Sequence, residues 1–163
     1  MSIEKDIHQN KFRNARHKAM INIMFTYGWV MEQIKMFLEK EDVTHQQYNI
    51  LRILRGSAPV PLSTLQIRER MIDKMSDTSR IVDRLIVKGL AEKCTCPKDK
   101  RLVDVTITEK GQKLLKRLDA ESDHMDEIMN QLTEKESETL NLLLDRLREK
   151  HSSVTRKNTR ESK

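Results

Sequence analysis

Apolar residues recur every three or four positions through most of the chain, a spacing typical of amphipathic helices. The first long run predicts a helix over residues 10–40, with its apolar stripe formed by Met20, Ile23, Met24, Tyr27, Met31, Ile34 and Leu38. Phe25, Trp29 and Phe37 widen that stripe beyond one face. Because a helix that is apolar over so much of its circumference is usually covered on two sides, we expect it to contact both the core and a second subunit.

Capping signals predict where other helices begin. Thr44 with Gln47 is a capping box, which places a second helix over residues 45–55. Thr133 with Glu136 has the same pattern and predicts the start of a last helix. The stripe of that last helix consists of leucines at positions i, i+3, i+4 and i+7: Leu140, Leu143, Leu144 and Leu147. Because this stripe is apolar, it is also expected to pack against another helix.

The stretch from Leu62 to Gly111 predicts two short helices. Ser63 with Gln66 caps the first, and a polar turn separates it from a second helix over residues 77–88, which Gly89 ends. One side of the second helix is apolar: Ile81, Val82, Leu85 and Ile86. The opposite side carries polar side chains: Thr78, Arg80, Asp83 and Arg84. Such a helix can lie in the major groove of DNA and present its polar side to base edges.

Two segments with β propensity follow this helix. Residues 90–96 and 102–107 are short and rich in β-branched or small residues, and residues 97–101 join them with a turn that carries three cations. The tip of such a hairpin can follow phosphates or place an arginine in a minor groove. The chain is therefore predicted to be mainly α with a small β-hairpin wing, a winged helix-turn-helix flanked by N- and C-terminal helices.

Four segments carry a family resemblance. They read V-T-H-Q-Q-Y-N-I-L-R-I-L at 43–54, D-T-S-R-I-V-D-R-L-I-V-K-G-L at 77–90, P-K-D-K-R at 97–101 and T-I-T-E-K-G at 106–111. In this order they resemble the MarR family of bacterial winged-helix transcription regulators. Each motif alone is weak, but together they cover most of residues 43–111.

The resemblance implies a homodimer that regulates transcription, as a repressor, by binding a palindromic operator in double-stranded DNA. Residues 10–40 and 112–150 would supply the dimerisation helices, and residues 41–111 the DNA-binding region. Relatives in this family commonly release DNA when a small aromatic or anionic compound binds. The resemblance therefore also implies a small-molecule effector for this chain.

The resemblance assigns roles to individual side chains as well. The recognition helix and the turn before it would contact bases and phosphates through Lys74, Ser76, Thr78, Ser79, Arg80 and Arg84. Arg101 matches the arginine of the family's wing, which enters the minor groove, and Asp99 would orient it. Lys98 and Lys100 would contact phosphates.

Composition narrows the class of protein. The 163 residues carry a net charge of +6 and only 4% aromatics, which suits one helical domain with an anionic partner. The charge is unevenly placed, since residues 62–111 hold eleven Lys or Arg against eight Asp or Glu, whereas residues 112–150 hold seven against ten. Two cysteines, no signal peptide and no apolar run long enough to span a bilayer indicate a cytoplasmic protein. Residues 1–9 are expected to be a flexible N-terminus and residues 151–163 a disordered basic tail.

Other interpretations remain open beside the DNA-binding one. Tyr27, Met31 and Tyr48 are candidates for an effector pocket, although residues at helical spacing are more often core. Cys94 and Cys96 lie two residues apart on a predicted strand, which would suit a regulator that responds to thiol oxidation or to a soft metal, but two thiolates do not complete a metal site.

No cofactor, metal site or catalytic constellation is indicated, so an enzyme is not predicted. The alternative class of function is a winged-helix protein-interaction module that has no operator of its own.

Overall fold

The protein was analysed as a computed structural model, which describes residues 2–95, 103–121 and 123–158. The chain separates into two compact units, residues 1–124 and residues 125–163. In order along the chain, the elements are α1 (Ile3–Asp6), α2 (Ala15–Glu39), α3 (His45–Ser57), β1 (Leu62–Ser63), α4 (Thr64–Arg70), α5 (Thr78–Val87), β2 (Ala91–Thr95), β3 (Val103–Ile107), α6 (Glu109–Ala120), α7 (Asp123–Glu127) and α8 (Glu134–Asn158).

The predicted capping boxes form at the starts of α3 and α4. The Thr44 hydroxyl accepts a hydrogen bond from the Gln47 backbone, and the Gln47 side chain accepts one in return from the Thr44 backbone. Ser63 and Gln66 make the same reciprocal pair. Each box satisfies two backbone donors that the helix itself leaves without partners. The bounds of both helices thus follow from local side-chain chemistry.

The three strands form one antiparallel sheet in the order β1-β3-β2. In the hairpin, Ala91 lies opposite Ile107 and Thr95 opposite Val103. These two strands are the predicted wing, and the fold class is confirmed as mainly α with a winged helix-turn-helix. β1 was not predicted, because two residues are too few to show strand periodicity.

The core of the first unit fills the space between α3, the recognition region and α6. Its fully buried side chains include Leu38, Ile50, Leu51, Leu54, Ile67, Val82, Leu85, Val105, Leu115 and Leu118. α2 contributes to this core mainly through its last turns, since Leu38 is buried and Ile34 and Phe37 pack against the cluster. The apolar residues nearer the start of α2 lie largely exposed.

Both terminal regions contain helical residues. Ile3 is buried in α1, and the Glu4 carboxylate accepts a hydrogen bond from Lys18 Nζ at 2.5 Å. α8 continues to Asn158, while a flexible N-terminus over residues 1–9 and a disordered tail over residues 151–163 stay predictions. No glycine or proline interrupts residues 134–158, so nothing in the local chemistry ends the helix at residue 150.

α2 begins at Ala15 rather than near residue 10, because the side chain of Asn14 accepts a hydrogen bond from the His17 backbone and caps the helix there. Across the described ranges, none of the helices combines the length and the apolar character that a bilayer span requires.

Candidate nucleic-acid interface

The turn between α4 and α5 is held by side-chain hydrogen bonds. The Asp73 carboxylate accepts from the Met75 backbone at 3.0 Å and from the Ser76 hydroxyl at 2.5 Å. These two hydrogen bonds lower the pKa of Asp73 below its usual 3.8, the one from Ser76 contributing most. Asn49 on α3 accepts from the Ile72 backbone at 3.0 Å and so ties the turn to the core helices. The sequence analysis missed Asn49, because a single polar residue within a helix has no distinguishing pattern.

α5 starts at a side-chain cap and ends at a glycine. The Asp77 carboxylate accepts from the Arg80 backbone at 3.1 Å. At the other end, Gly89 has φ +70°, its N–H donates to the Ile86 carbonyl, and the Leu90 N–H donates to the Leu85 carbonyl. Together these bonds form a Schellman motif, which fixes where the recognition helix stops.

The buried side of α5 anchors the helix, and its opposite side lies open. Val82 and Leu85 are fully buried, while Arg80 and Arg84 are exposed. Within the described part of the chain neither arginine forms an ion pair. Their guanidinium groups are therefore available to an external acceptor.

Thr78 differs in burial from the other predicted DNA contacts. Its side chain is only 5% exposed, and its hydroxyl lies 3.4 Å from the sulfur of Met71. Thr78 follows the cap by one residue, which turns it towards the core rather than outward. The other predicted contacts on this region remain exposed or half-exposed: Lys74, Ser76, Ser79, Arg80 and Arg84.

Two contacts connect α5 to its neighbours. Asp83, on the exposed side, forms an ion pair with Lys93 of β2 at 2.9 Å. Lys88, at the end of the helix, donates to the Asp42 carboxylate at 2.9 Å. Both pairs are solvent-accessible and contribute little to the free energy of unfolding, but they join the helix to the wing strand and to the loop before α3.

Only some of the residues predicted to form the wing lie within the described part of the chain. Cys94 is half-buried on β2, while its predicted partner Cys96 lies outside the described residues. The predicted contacts at the tip lie outside the described residues as well: Lys98, Asp99, Lys100 and Arg101. Within the described ranges, no three His, Cys, Asp or Glu side chains are grouped to hold a metal ion.

A cleft of about 1230 Å³ lies between α2, the start of α3 and α5. Of the three candidates for an effector pocket, Met31 lines this cleft, and Tyr27 and Tyr48 do not. Tyr27 is exposed on α2, and the Tyr48 hydroxyl accepts a hydrogen bond from Arg52 at 3.2 Å.

The side chains around the cleft are mostly charged or polar, among them Glu32, Lys35, Arg80, Arg84 and Lys88. His45 also lines it, and burial lowers the pKa of His45 below 6.5 against the opposing effect of the Asp73 charge. The cleft thus contains the same two arginines that lie on the exposed side of α5.

Comparisons with known proteins agree with this fold. The model of the MarR family matches residues 43–103. The chain is 27% identical over 133 residues to the HTH-type transcriptional regulator MhqR of Bacillus subtilis, covering 80% of this chain and 89% of MhqR. It is also 27% identical over 120 residues to the HTH-type transcriptional repressor IacR of Pseudomonas putida, covering 73% and 71% of the two chains.

A solved structure gives the same fold. A cysteine-to-serine mutant of MarR from E. coli, complexed with operator DNA, superposes with a TM-score of 0.75 at 24% identity, over 85% of this chain and 99% of that one. The family match covers the segment that contains α3, α4 and α5, the elements that form and position the exposed arginines. Residues 43–103 of the chain thus match the MarR family model, and the described chain has the fold of a MarR regulator.

Proposed function

We propose that the chain is a homodimeric repressor that binds a palindromic operator, with α5 in the major groove. The observation that carries this proposal is the exposed side of α5, where Arg80 and Arg84 have no ion-pair partner among the described residues. An arginine held outward on an anchored helix can form paired hydrogen bonds with the O6 and N7 atoms of guanine, or bind a phosphate. Lys74 and Ser79 would add contacts to the DNA backbone from the same region.

The proposal extends to the wing. By sequence, residues 97–101 carry three cations, and the family resemblance assigns this segment to DNA contact. Arg101 would enter the minor groove beside the segment that α5 contacts, with Asp99 orienting its guanidinium group. Lys98 and Lys100 would bind the flanking phosphates.

Dimerisation is supported by the apolar side chains that α2 and α8 expose. On α2 these are Met20, Ile23, Met24, Phe25, Tyr27, Trp29 and Met36. On α8 they are Leu140, Leu142, Leu143 and Leu147. So many exposed large apolar side chains on one helix are unusual for a monomeric soluble protein, and each of the two helices is therefore a candidate interaction surface. A second copy of the chain would cover these surfaces around a two-fold axis, which explains why the operator would be palindromic.

Repression would follow from occupancy of a promoter by the dimer. The name of one relative, IacR, supports this sign of regulation, because it is called a transcriptional repressor. The cleft between α2 and α5 is our candidate for the effector site. A compound bound there would contact Arg80 and Arg84 and so compete with DNA for the same guanidinium groups. Such a compound changes DNA affinity only if it binds the free and DNA-bound states differently.

The test is DNA affinity as a function of salt concentration for Arg80→Ala and for a matched variant, Lys116→Ala. Lys116 is an exposed cation on α6, so both variants lose one positive charge. We expect Arg80→Ala to weaken operator binding by about tenfold or more. The salt dependence of binding should also decrease, because the variant makes one contact fewer and so releases fewer counterions from the DNA. Lys116→Ala should leave the affinity for the operator and its salt dependence unchanged. Equal effects of the two variants would contradict the proposed role of α5.

The alternative function, a protein-interaction module without an operator, predicts a different salt response. DNA binding weakens steeply as salt rises, whereas an apolar protein contact does not. Arg80 and Arg84 form no ion pair with the described residues and present paired donors that suit guanine or phosphate, which favours DNA.

A further inference from the structure

Two apolar side chains lie almost fully in solvent in the turn before the recognition helix. Ile72 is 89% exposed and Met75 is 92% exposed. Exposed apolar residues that occur singly need no explanation, but these two share one short turn. The turn is also not loose, since the Ile72 and Met75 backbone N–H groups donate to Asn49 and Asp73, and the Ser76 hydroxyl donates to Asp73 as well. The fold therefore holds Met75 outward rather than leaving it there by disorder.

The surroundings of Met75 indicate what would cover it. Lys74 precedes it and is exposed, and Arg80 lies on the exposed side of the helix that begins three residues later. An exposed apolar side chain that is flanked by cations along the sequence fits a polyanion that carries apolar groups of its own. The major groove of DNA is such a surface, because each thymine presents a C5 methyl group there between acceptor atoms.

Position along the helix supports the same partner. In helix-turn-helix proteins the N-terminal part of the recognition helix contacts base edges. Met75 lies two residues before Asp77, the cap of α5, and so at that end of the helix. A methionine side chain is long, flexible and polarisable, so it can reach a methyl group and adapt to its position.

We infer that Met75 contacts the C5 methyl group of a thymine in each half-site and sets a preference for thymine at that position. The inference rests on the proposed function, in which α5 enters the major groove. It adds an apolar element of sequence recognition that the arginines do not supply. Unlike an arginine–phosphate contact, this one releases no counterions, so its loss should leave the salt dependence of binding unchanged.

The test replaces single thymines of a selected operator by deoxyuridine, which removes only the methyl group. For the unaltered protein, we expect one position in each half-site at which this replacement weakens binding about fourfold, as one buried methyl group predicts. For Met75→Ala, affinity for the thymine operator should fall by a similar factor, and the replacement at that position should have no further effect.

Leu65→Ala is the matched control, because Leu65 is another exposed apolar residue of the helix-turn-helix region but lies on α4. It should respond to deoxyuridine as the unaltered protein does. If every replacement weakens Met75→Ala and the unaltered protein equally, the inference is overturned while DNA binding stands. If no operator can be selected at all, the proposed function fails first. Thermal unfolding of Met75→Ala should match that of the unaltered protein, since the side chain makes no buried contact.

Discussion

Gly111 shows how one residue can fix the junction between the wing and α6. A Cβ atom built at this position would lie 2.3 Å from the Leu90 carbonyl oxygen and 2.8 Å from a side-chain carbon of Ile107. The first of these neighbours is backbone, which cannot move without disturbing the end of α5. The Thr108 hydroxyl adds to this junction by donating to the Gly89 carbonyl at 2.7 Å. The start of α6 thus requires glycine because a Cβ atom would not fit there, and not because the backbone adopts a left-handed conformation.

We predict that Gly111→Ala lowers the free energy of unfolding by about 2 kcal/mol, because the backbone must shift to admit the methyl group. Urea-induced unfolding followed by circular dichroism would measure this. Gly56→Ala is the control, since a Cβ there meets nothing within 4 Å and the residue lies in α3. That variant should be neutral or more stable by up to about 1 kcal/mol. Equal destabilisation of both variants would contradict the steric explanation.

Asp119 provides a pH-dependent contact between α6 and α3. Its carboxylate accepts a hydrogen bond from Arg55 at 2.5 Å and one from Arg52 at 3.0 Å. The bond from Arg55 is the main reason that the pKa of Asp119 lies below 3.8. A carboxyl group with a lowered pKa stabilises the fold above its unfolded pKa, and this contribution is lost as pH falls through the folded pKa.

We therefore predict that Asp119→Asn is less stable than the unaltered protein at pH 7, by about 1 kcal/mol or less because the pair is partly exposed. The difference should shrink as pH falls below about 3.8, where the carboxyl group of the unfolded chain becomes protonated, and should disappear once pH has fallen through the lower pKa of the folded state. Unfolding curves at pH 7, 5 and 3 would show the trend. A difference that stays constant down to pH 3 would contradict it.

At the residue scale, the sequence predicts which surfaces are polar better than it predicts which way a single side chain points. Thr78 was predicted to contact DNA from the family resemblance, yet its side chain is almost fully buried in the first turn of α5. Tyr27 and Tyr48 were predicted to line a pocket, but whether they do depends on how α2 and α3 cross, which no local pattern specifies. Asn49 escaped prediction for the same reason, since its role depends on the turn that packs beside it.

Elements could be predicted with greater certainty than single side chains, because caps are local. Reciprocal hydrogen bonds form at Ser63 with Gln66 and at Thr133 with Glu136, as the sequence indicates. Helix ends were less predictable where no glycine or proline marks them, as in α8. β1 and α1 are too short for periodicity to reveal.

α5 is the element on which the function depends, and its cap gives a direct prediction. Asp77→Ala should lower the free energy of unfolding by about 1 kcal/mol, because the Arg80 N–H loses its acceptor. Asp77→Asn keeps a capping oxygen and should retain most of that stability. Thermal unfolding of both variants would measure this. If Asp77→Asn proves as unstable as Asp77→Ala, charge rather than capping would explain the effect.

At the scale of the whole molecule, the exposed apolar residues of α2 and α8 have no function in a monomer. Leu143 and Leu147 are 50% and 55% exposed on α8. We predict that Leu147→Glu converts a dimer into a monomer at micromolar concentration, because the carboxylate would be buried in the interface without a partner. Sedimentation equilibrium would detect the change. Asn141→Glu, which adds the same charge at an exposed polar position of α8, should remain dimeric.

The central claim is that two copies of the chain hold their α5 helices so that both read one DNA duplex. Selection of bound sequences from a pool of random duplexes tests this most directly. We predict enrichment of a palindrome whose half-sites are centred about one helical turn apart, roughly 10 base pairs. A single unpaired half-site would contradict the dimeric arrangement, and the absence of any enriched sequence would contradict DNA recognition by α5 altogether.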